Sequence, residues 1–209
     1  MGKRTITVTG TGTASVSPDV VRLDLRIGHD AADVAAALSG ASAGLTTAGR
    51  VVREHGVADA DIRTLGADIH QRFDKDGQPS GFTAQQRLGV TVRVLDAVGP
   101  ILEGAAAGLG NALLVDQVRL DVADRSEALA RARDAAFADA KAKAEQYAAL
   151  AGTALGAVAG VVEGGVVPLA GPMRAMREAA LAMPVEGGDL ELSASVTVTW
   201  RLRRVAAPE

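Results

Sequence analysis

Three histidines, several acid pairs and a short glycine-rich stretch are the first places to look for chemistry in this sequence. His29, Asp30 and Asp33 carry atoms that bind metal, but a metal site needs ligands converging on one point. Their spacing supplies no such set, and the two carboxylates suit the start of a helix instead. His55 fits the end of a helix, and His70 lies in a strand pattern with no ligand two residues further on. GTGTAS at 10–15 resembles a phosphate loop. Such loops hold their anion on the N-terminus of a following helix and carry a Lys-Ser/Thr pair. Here the stretch joins two strand patterns and lacks that pair, so its glycines fit a tight turn or bulge better. DKDGQP at 74–79 begins like a calcium loop, yet it puts Pro79 where that loop needs glycine and Gln85 where it needs glutamate. No serine stands in G-x-S-x-G. No catalytic, cofactor-binding or metal-binding residue emerges, and the expectation is a chain that is not an enzyme and takes no cofactor.

The composition narrows the partners. Acidic and basic residues are interspersed and leave a formal charge of −3. No basic stripe suggests nucleic acid, and no polybasic cluster suggests an anionic membrane. Cysteine is absent, which removes disulfides, thiolate metal sites and a Cys nucleophile. The longest weakly polar run, 150–162, is too short and too glycine-rich to span a membrane. The opening MGKRTITVTG enters a strand pattern with no apolar leader before it, so the chain as written reads as cytoplasmic. A removed leader would make it periplasmic or envelope-bound. Aromatic residues are only 2% of the chain, so the core must rest on closely packed Ala, Val and Leu.

The elements that would position any site follow from periodicity. Residues 4–9 and 20–27 alternate apolar and polar side chains, the mark of strands with one buried face. Asp30, with Asp33 three residues on, reads as the N-cap of a helix that runs to Gly56. Two strands are expected at about 61–72 and 82–94, with Leu88, Val90, Val92 and Val94 facing inward, and a shorter helix near 96–108. VRLDL at 21–25 then returns as VRLDV at 118–122. The second string is also followed by an acidic cap (Asp124, Glu127), an Ala-rich helix ending at Gly152, and two strands near 157–163 and 190–203. The order suggests an α+β fold of duplicated β-α-β-β units, halves about 13–94 and 111–204, within a single domain spanning 1–209. Each half lays one long Ala-rich helix on a shared antiparallel sheet.

The second long helix has the sharpest pattern. Ala132, Ala136, Ala140, Ala144 and Ala148 recur every four residues and form a shallow ridge that lets a backbone come close. Within its own unit the ridge faces a sheet; alternatively it meets another subunit. Residues 164–189 differ, with Gly and Pro around Met173, Met176 and Met183. A segment of this length is either an adaptable contact surface or a loose insertion.

These motifs together resemble the SIMPL-domain family. ITVTGTGTASVSPD is similar to that family's opening, with Gly10, Gly12, Pro18 and Asp19 in place. FTAQQRLGVTVRV looks like its aromatic-x-Ala strand, with Phe82 where Tyr is common, and Ala84. The helix through Ala132, Ala136, Asp139, Ala140, Lys143, Ala144, Ala148 and Gly152 matches its most specific stretch. The resemblance extends over nearly the whole chain. It implies an α+β fold of repeated units, no established catalytic activity, no cofactor, and a tendency to self-associate. It also implies links to oxidative-stress tolerance and to cell-envelope antigens, although many relatives carry a signal peptide that is not evident here.

The leading expectation is therefore a non-enzymatic protein that assembles with copies of itself, with 164–189 as a candidate contact segment. A binding module for a small molecule or a protein, with its pocket near Met173 to Met183, is the alternative. A hydrolase would need scattered carboxylates gathered in one cleft with shifted titration.

Overall fold

The computed structural model describes residues 4–164, 167–169 and 188–204. Eight strands and three α-helices occur among them: β1 (Thr5–Val16), β2 (Val20–Ala31), α1 (Val34–Glu54), β3 (Ile62–Phe73), β4 (Pro79–Val92), α2 (Val98–Leu109), β5 (Leu113–Asp121), α3 (Ser126–Leu150), β6 (Thr153–Glu163), β7 (Val167–Leu169) and β8 (Leu190–Arg204). The fold is α+β, with antiparallel pairing throughout two sheets. The chain divides into two compact units. In one, here called the continuous unit, the described residues run unbroken from 18 to 123. The other is split, and its described residues are 4–17, 124–164, 167–169 and 188–204.

The continuous unit holds the sheet β3-β4-β2-β5. Alternation puts Val21, Leu23, Leu25 and Ile27 of β2 and Leu88, Val90 and Val92 of β4 on one face, where α1 and α2 cover them with Ala48, Val52, Val98 and Ile101. Leu23, Leu25 and Ile27 are fully buried. Removing such side chains from water is the main force behind this unit, about 25 cal/mol per Å².

The split unit holds the sheet β1-β8-β6, with β7 also paired to β8. Here α3 lays Ala136, Ala140 and Ala144 over Val196, Val198 and Trp200, and Ile6, Val8 and Leu155 close the cluster. Phe137 tilts against Trp200 with ring centroids 6.1 Å apart.

Four expectations need correction. The single shared sheet is two sheets, because alternation says which face of a strand is buried and not which strand lies beside it. VRLDL and VRLDV are in fact neighbours: Val21 is opposite Leu120, Arg22 opposite Arg119 and Leu23 opposite Val118. The order β2-β4-β3 beneath α1 has its counterpart in β1-β8-β6 beneath α3, so β1 occupies the place that the strings assign to β5. Asp30 does not cap α1. It lies in β2, accepting a hydrogen bond from the Thr83 hydroxyl and pairing with Arg72 at 2.9 Å. Those cross-strand partners prolong the ladder to Ala31, and the cap falls to Asp33, whose carboxylate accepts from the Ala36 N–H at 2.9 Å. Val94, expected inward, follows the end of β4 and is 65% exposed.

Candidate functional site

The family's glycine and alanine motifs meet at one contact in the split unit. Gly10 and Gly12 of β1 face α3 so closely that a Cβ on Gly10 would stand 2.1 Å from the Ala136 carbonyl oxygen, and one on Gly12 would stand 2.3 Å from that of Ala132. Only glycine fits such an approach. The alanines answer from the helix: Ala128, Ala132, Ala136, Ala140, Ala144 and Ala148 are all buried. A β-strand against a ridge of methyl groups brings backbone to backbone. The four-residue spacing thus faces the unit's own sheet.

Polar residues of α3 then finish the edge of β1. This strand has β8 on one side and no strand on the other among the described residues. Asp139 accepts from the Thr11 N–H at 2.8 Å, Lys143 donates to the Thr9 carbonyl at 3.2 Å, and Arg131 donates to the Ser15 carbonyl at 3.0 Å. Asp139 and Lys143 also bond each other at 2.6 Å. The hydrogen bonds from Lys143 and from the Thr11 amide hold the Asp139 carboxyl below the usual carboxylate range.

The remaining motif residues have local structural roles. Asp19, which follows Pro18, donates its N–H to the Asp121 carbonyl at 3.1 Å and accepts from the Ala123 N–H at 2.7 Å, fastening the start of β2 to the end of β5. Ala84 is buried with Ala37 and Ala41, and Phe82 packs at the margin of that cluster. Gly152 ends α3 with φ +64° and its N–H on the Ala149 carbonyl. The expected contact residues Met173, Met176 and Met183 lie outside the described residues. Among the histidines, His29 packs its ring on α1, where a Cβ at Gly40 would lie 2.1 Å from it, and His55 bonds the Val51 carbonyl through Nδ1 at 2.9 Å.

The sequence motifs do not point to one further cluster. On the outward face of the β3-β4-β2-β5 sheet, Arg22, Asp24, Arg63, Leu65, Gly89, Val90, Thr91, Arg119 and Asp121 line a groove of about 400 Å³. Arg22 donates from Nε to Asp121 and from Nη1 to the Thr91 hydroxyl, the latter at 3.1 Å. Asp121 is nearly buried, so this pairing offsets the cost of desolvating its charge. At one end Asp61 receives both arms of Arg93, at 2.7 and 2.9 Å, and that guanidinium holds its carboxyl down. Arg22, Asp24 and Arg119 were visible as polar positions of alternating strands. Their convergence depends on strand order, which the sequence pattern does not state.

Glycine-flanked close packing and a helix-sealed strand edge, on antiparallel sheets covered by helices, define an α+β protein. The chain belongs to the SIMPL family, whose model, described as a protein of unknown function (DUF541), matches residues 6–200. It is similar to the 26 kDa periplasmic immunogenic protein of Brucella abortus (strain S19), with 30% identity over 217 residues, covering 95% of this chain and 84% of that protein. The protein of the same name from Brucella melitensis biotype 1 is similar to the same extent. Among the described residues no helix is long and apolar enough to cross a membrane.

Proposed function

We propose that the chain is a non-enzymatic protein that assembles with copies of itself in the periplasm, built from repeated β-α-β-β units. The observation that carries this reading is the difference between the two edges of the split unit's sheet. Helix side chains occupy the edge of β1. The opposite edge is formed largely by β6, whose Val158, Val161 and Val162 are 45%, 54% and 67% exposed. An exposed edge with branched apolar side chains is a template for another strand, which soluble proteins cover or pair. The periplasmic setting comes from the name of the Brucella relatives. The link to oxidative-stress tolerance rests on family resemblance alone.

Light scattering on the eluting protein over a dilution series tests the assembly. A stable multiple of the 21.2 kDa chain supports it, and a monomer at every concentration removes it. An assembly whose mass is indifferent to peroxide rules out oxidation of Met173, Met176 and Met183 as a means of loosening it.

A further inference from the structure

The groove over Gly89 has the construction of an anion site. Gly89 lies between Arg63 of β3 and Asp24 of β2 in register, so this row of outward side chains has a gap at its centre. Leu65 forms one wall, its side chain 3.0 Å from where a Cβ on Gly89 would be. In the next row Arg22 and Arg119 stand directly opposite each other on β2 and β5. Like charges so placed repel, and neighbouring strands are more stable with opposite signs there. Arg22 is already engaged by Asp121 and Thr91. Arg63 and Arg119 have no ion pair or side-chain hydrogen bond among the described residues, and neither has Asp24. Three arginines against two aspartates leave the lining one positive charge in excess.

Two guanidinium groups without a hydrogen-bond partner, Arg63 acting on Asp61 only at longer range, present planar forks of N–H donors, the geometry that grips carboxylate or phosphate oxygens. Asp24, between them, accepts a hydroxyl or ammonium donor. The volume is within the range of small-molecule sites, roughly 300 to 1,000 Å³. We propose that this groove binds a small soluble molecule whose oxyanion group, carboxylate or phosphate, is held between Arg63 and Arg119, with a hydroxyl or ammonium group of the same molecule on Asp24. With Arg22 taken up by Asp121, Arg119 keeps an uncompensated charge on this face, and the bound oxyanion supplies its counter-charge. The site lies wholly in the continuous unit and does not depend on the assembly reading.

The test is titration of the full chain, followed by amide resonances in NMR, with inorganic phosphate, succinate and glycerol 3-phosphate. Saturable shifts at Gly89, Val90 and Thr91 are expected, with the hydroxylated ester binding tightest. The Arg63→Gln and Arg119→Gln double variant should bind at least about tenfold more weakly while keeping the remaining spectrum. Arg133→Gln, which alters an arginine paired with Glu163 in the other unit, should bind as the parent does. The proposal is overturned if none of the three probes gives saturable shifts below about 20 mM, or if the double variant retains the parent's affinity. It is also overturned if the parent ignores all three yet sediments with phosphatidylglycerol vesicles through Arg63 and Arg119, which would assign the oxyanion to a lipid headgroup.

Discussion

The Thr11 backbone N–H donates to the Asp139 carboxylate at 2.8 Å, which ties the free side of a strand to the flank of a helix. Lys143, bonded to the same carboxylate, takes the Thr9 carbonyl of that strand. One i,i+4 ion pair therefore satisfies both a donor and an acceptor that would otherwise face solvent or another chain. Exposed ion pairs contribute little to stability in themselves. The weight of this one lies in what it denies to a neighbour.

Acid should loosen the contact. Hydrogen bonding lowers the Asp139 carboxyl from its ordinary value of 3.8, and Asp61 and Asp124 are lowered likewise. A carboxyl lowered on folding contributes stability that is complete above the unfolded-state value and is lost as pH falls through the folded one. Denaturant melts should be flat near neutrality and decline below about pH 4. Asp139→Asn should shallow that decline. An unchanged acid slope in the variant would contradict the assignment.

Removing both side chains should open the edge. Asp139→Ala with Lys143→Ala leaves the Thr11 N–H and the Thr9 carbonyl of β1 without their helix partners, and self-association at this edge should appear by light scattering at concentrations where the parent's mass is constant. Substituting Lys141 and Glu145, an i,i+4 pair of the same helix with N–O distance 3.8 Å, should not change the mass.

Gly10→Ala should be among the most damaging conservative changes in the chain. Its methyl group would need the place of helix backbone atoms, the Ala136 carbonyl oxygen and the Ala140 nitrogen 2.4 Å away. Overpacking against backbone costs about 3 kcal/mol or more, read as a lowered urea midpoint. Gly28→Ala, whose Cβ meets nothing nearer than Gln85 Cγ at 3.8 Å, is the control and should stay within about 0.5 kcal/mol.

Leu23→Ala should destabilise the continuous unit by about 2 to 5 kcal/mol, as for other fully buried leucines. If unfolding then splits into two transitions, the earlier should report this unit and the later Trp200 fluorescence, which belongs to the other.

Val161→Lys with Val162→Glu should lower the assembled mass while moving the melting midpoint little, because both side chains are more than half exposed. Retention of the parent's mass would turn attention from β6 to other edges.

Faces and helices were legible in the sequence; neighbours were not. The alternation of Val21 to Ile27 and the alanine spacing of 132 to 148 each fix which side chains are buried, since both depend on local geometry alone. Pairing of Thr7 with Thr199, whose hydroxyls bond at 2.9 Å, joins residues 192 positions apart, and no local signal encodes it. The same holds for the groove, where Arg63, Arg22 and Arg119 come from three strands. Capping was misplaced by one turn because Asp30 and Asp33 are chemically alike, and the choice went to the one that Thr83 and Arg72 left free.

The pairing of β1 with β8 also sets a timetable. A ribosome delivers residues in order, so β1 leaves the tunnel with β8, its one strand partner among the described residues, still to be translated, whereas residues 18–123 have the described strands of their sheet much sooner. For that interval β1 is a waiting segment, open to misplaced pairing. Its composition suits the wait: in TITVTGTGTASV the five threonine hydroxyls keep it hydrated, and the two glycines raise the entropy cost of holding an extended shape alone. The glycines that admit α3 in the finished molecule thus also keep the unfinished one from committing early.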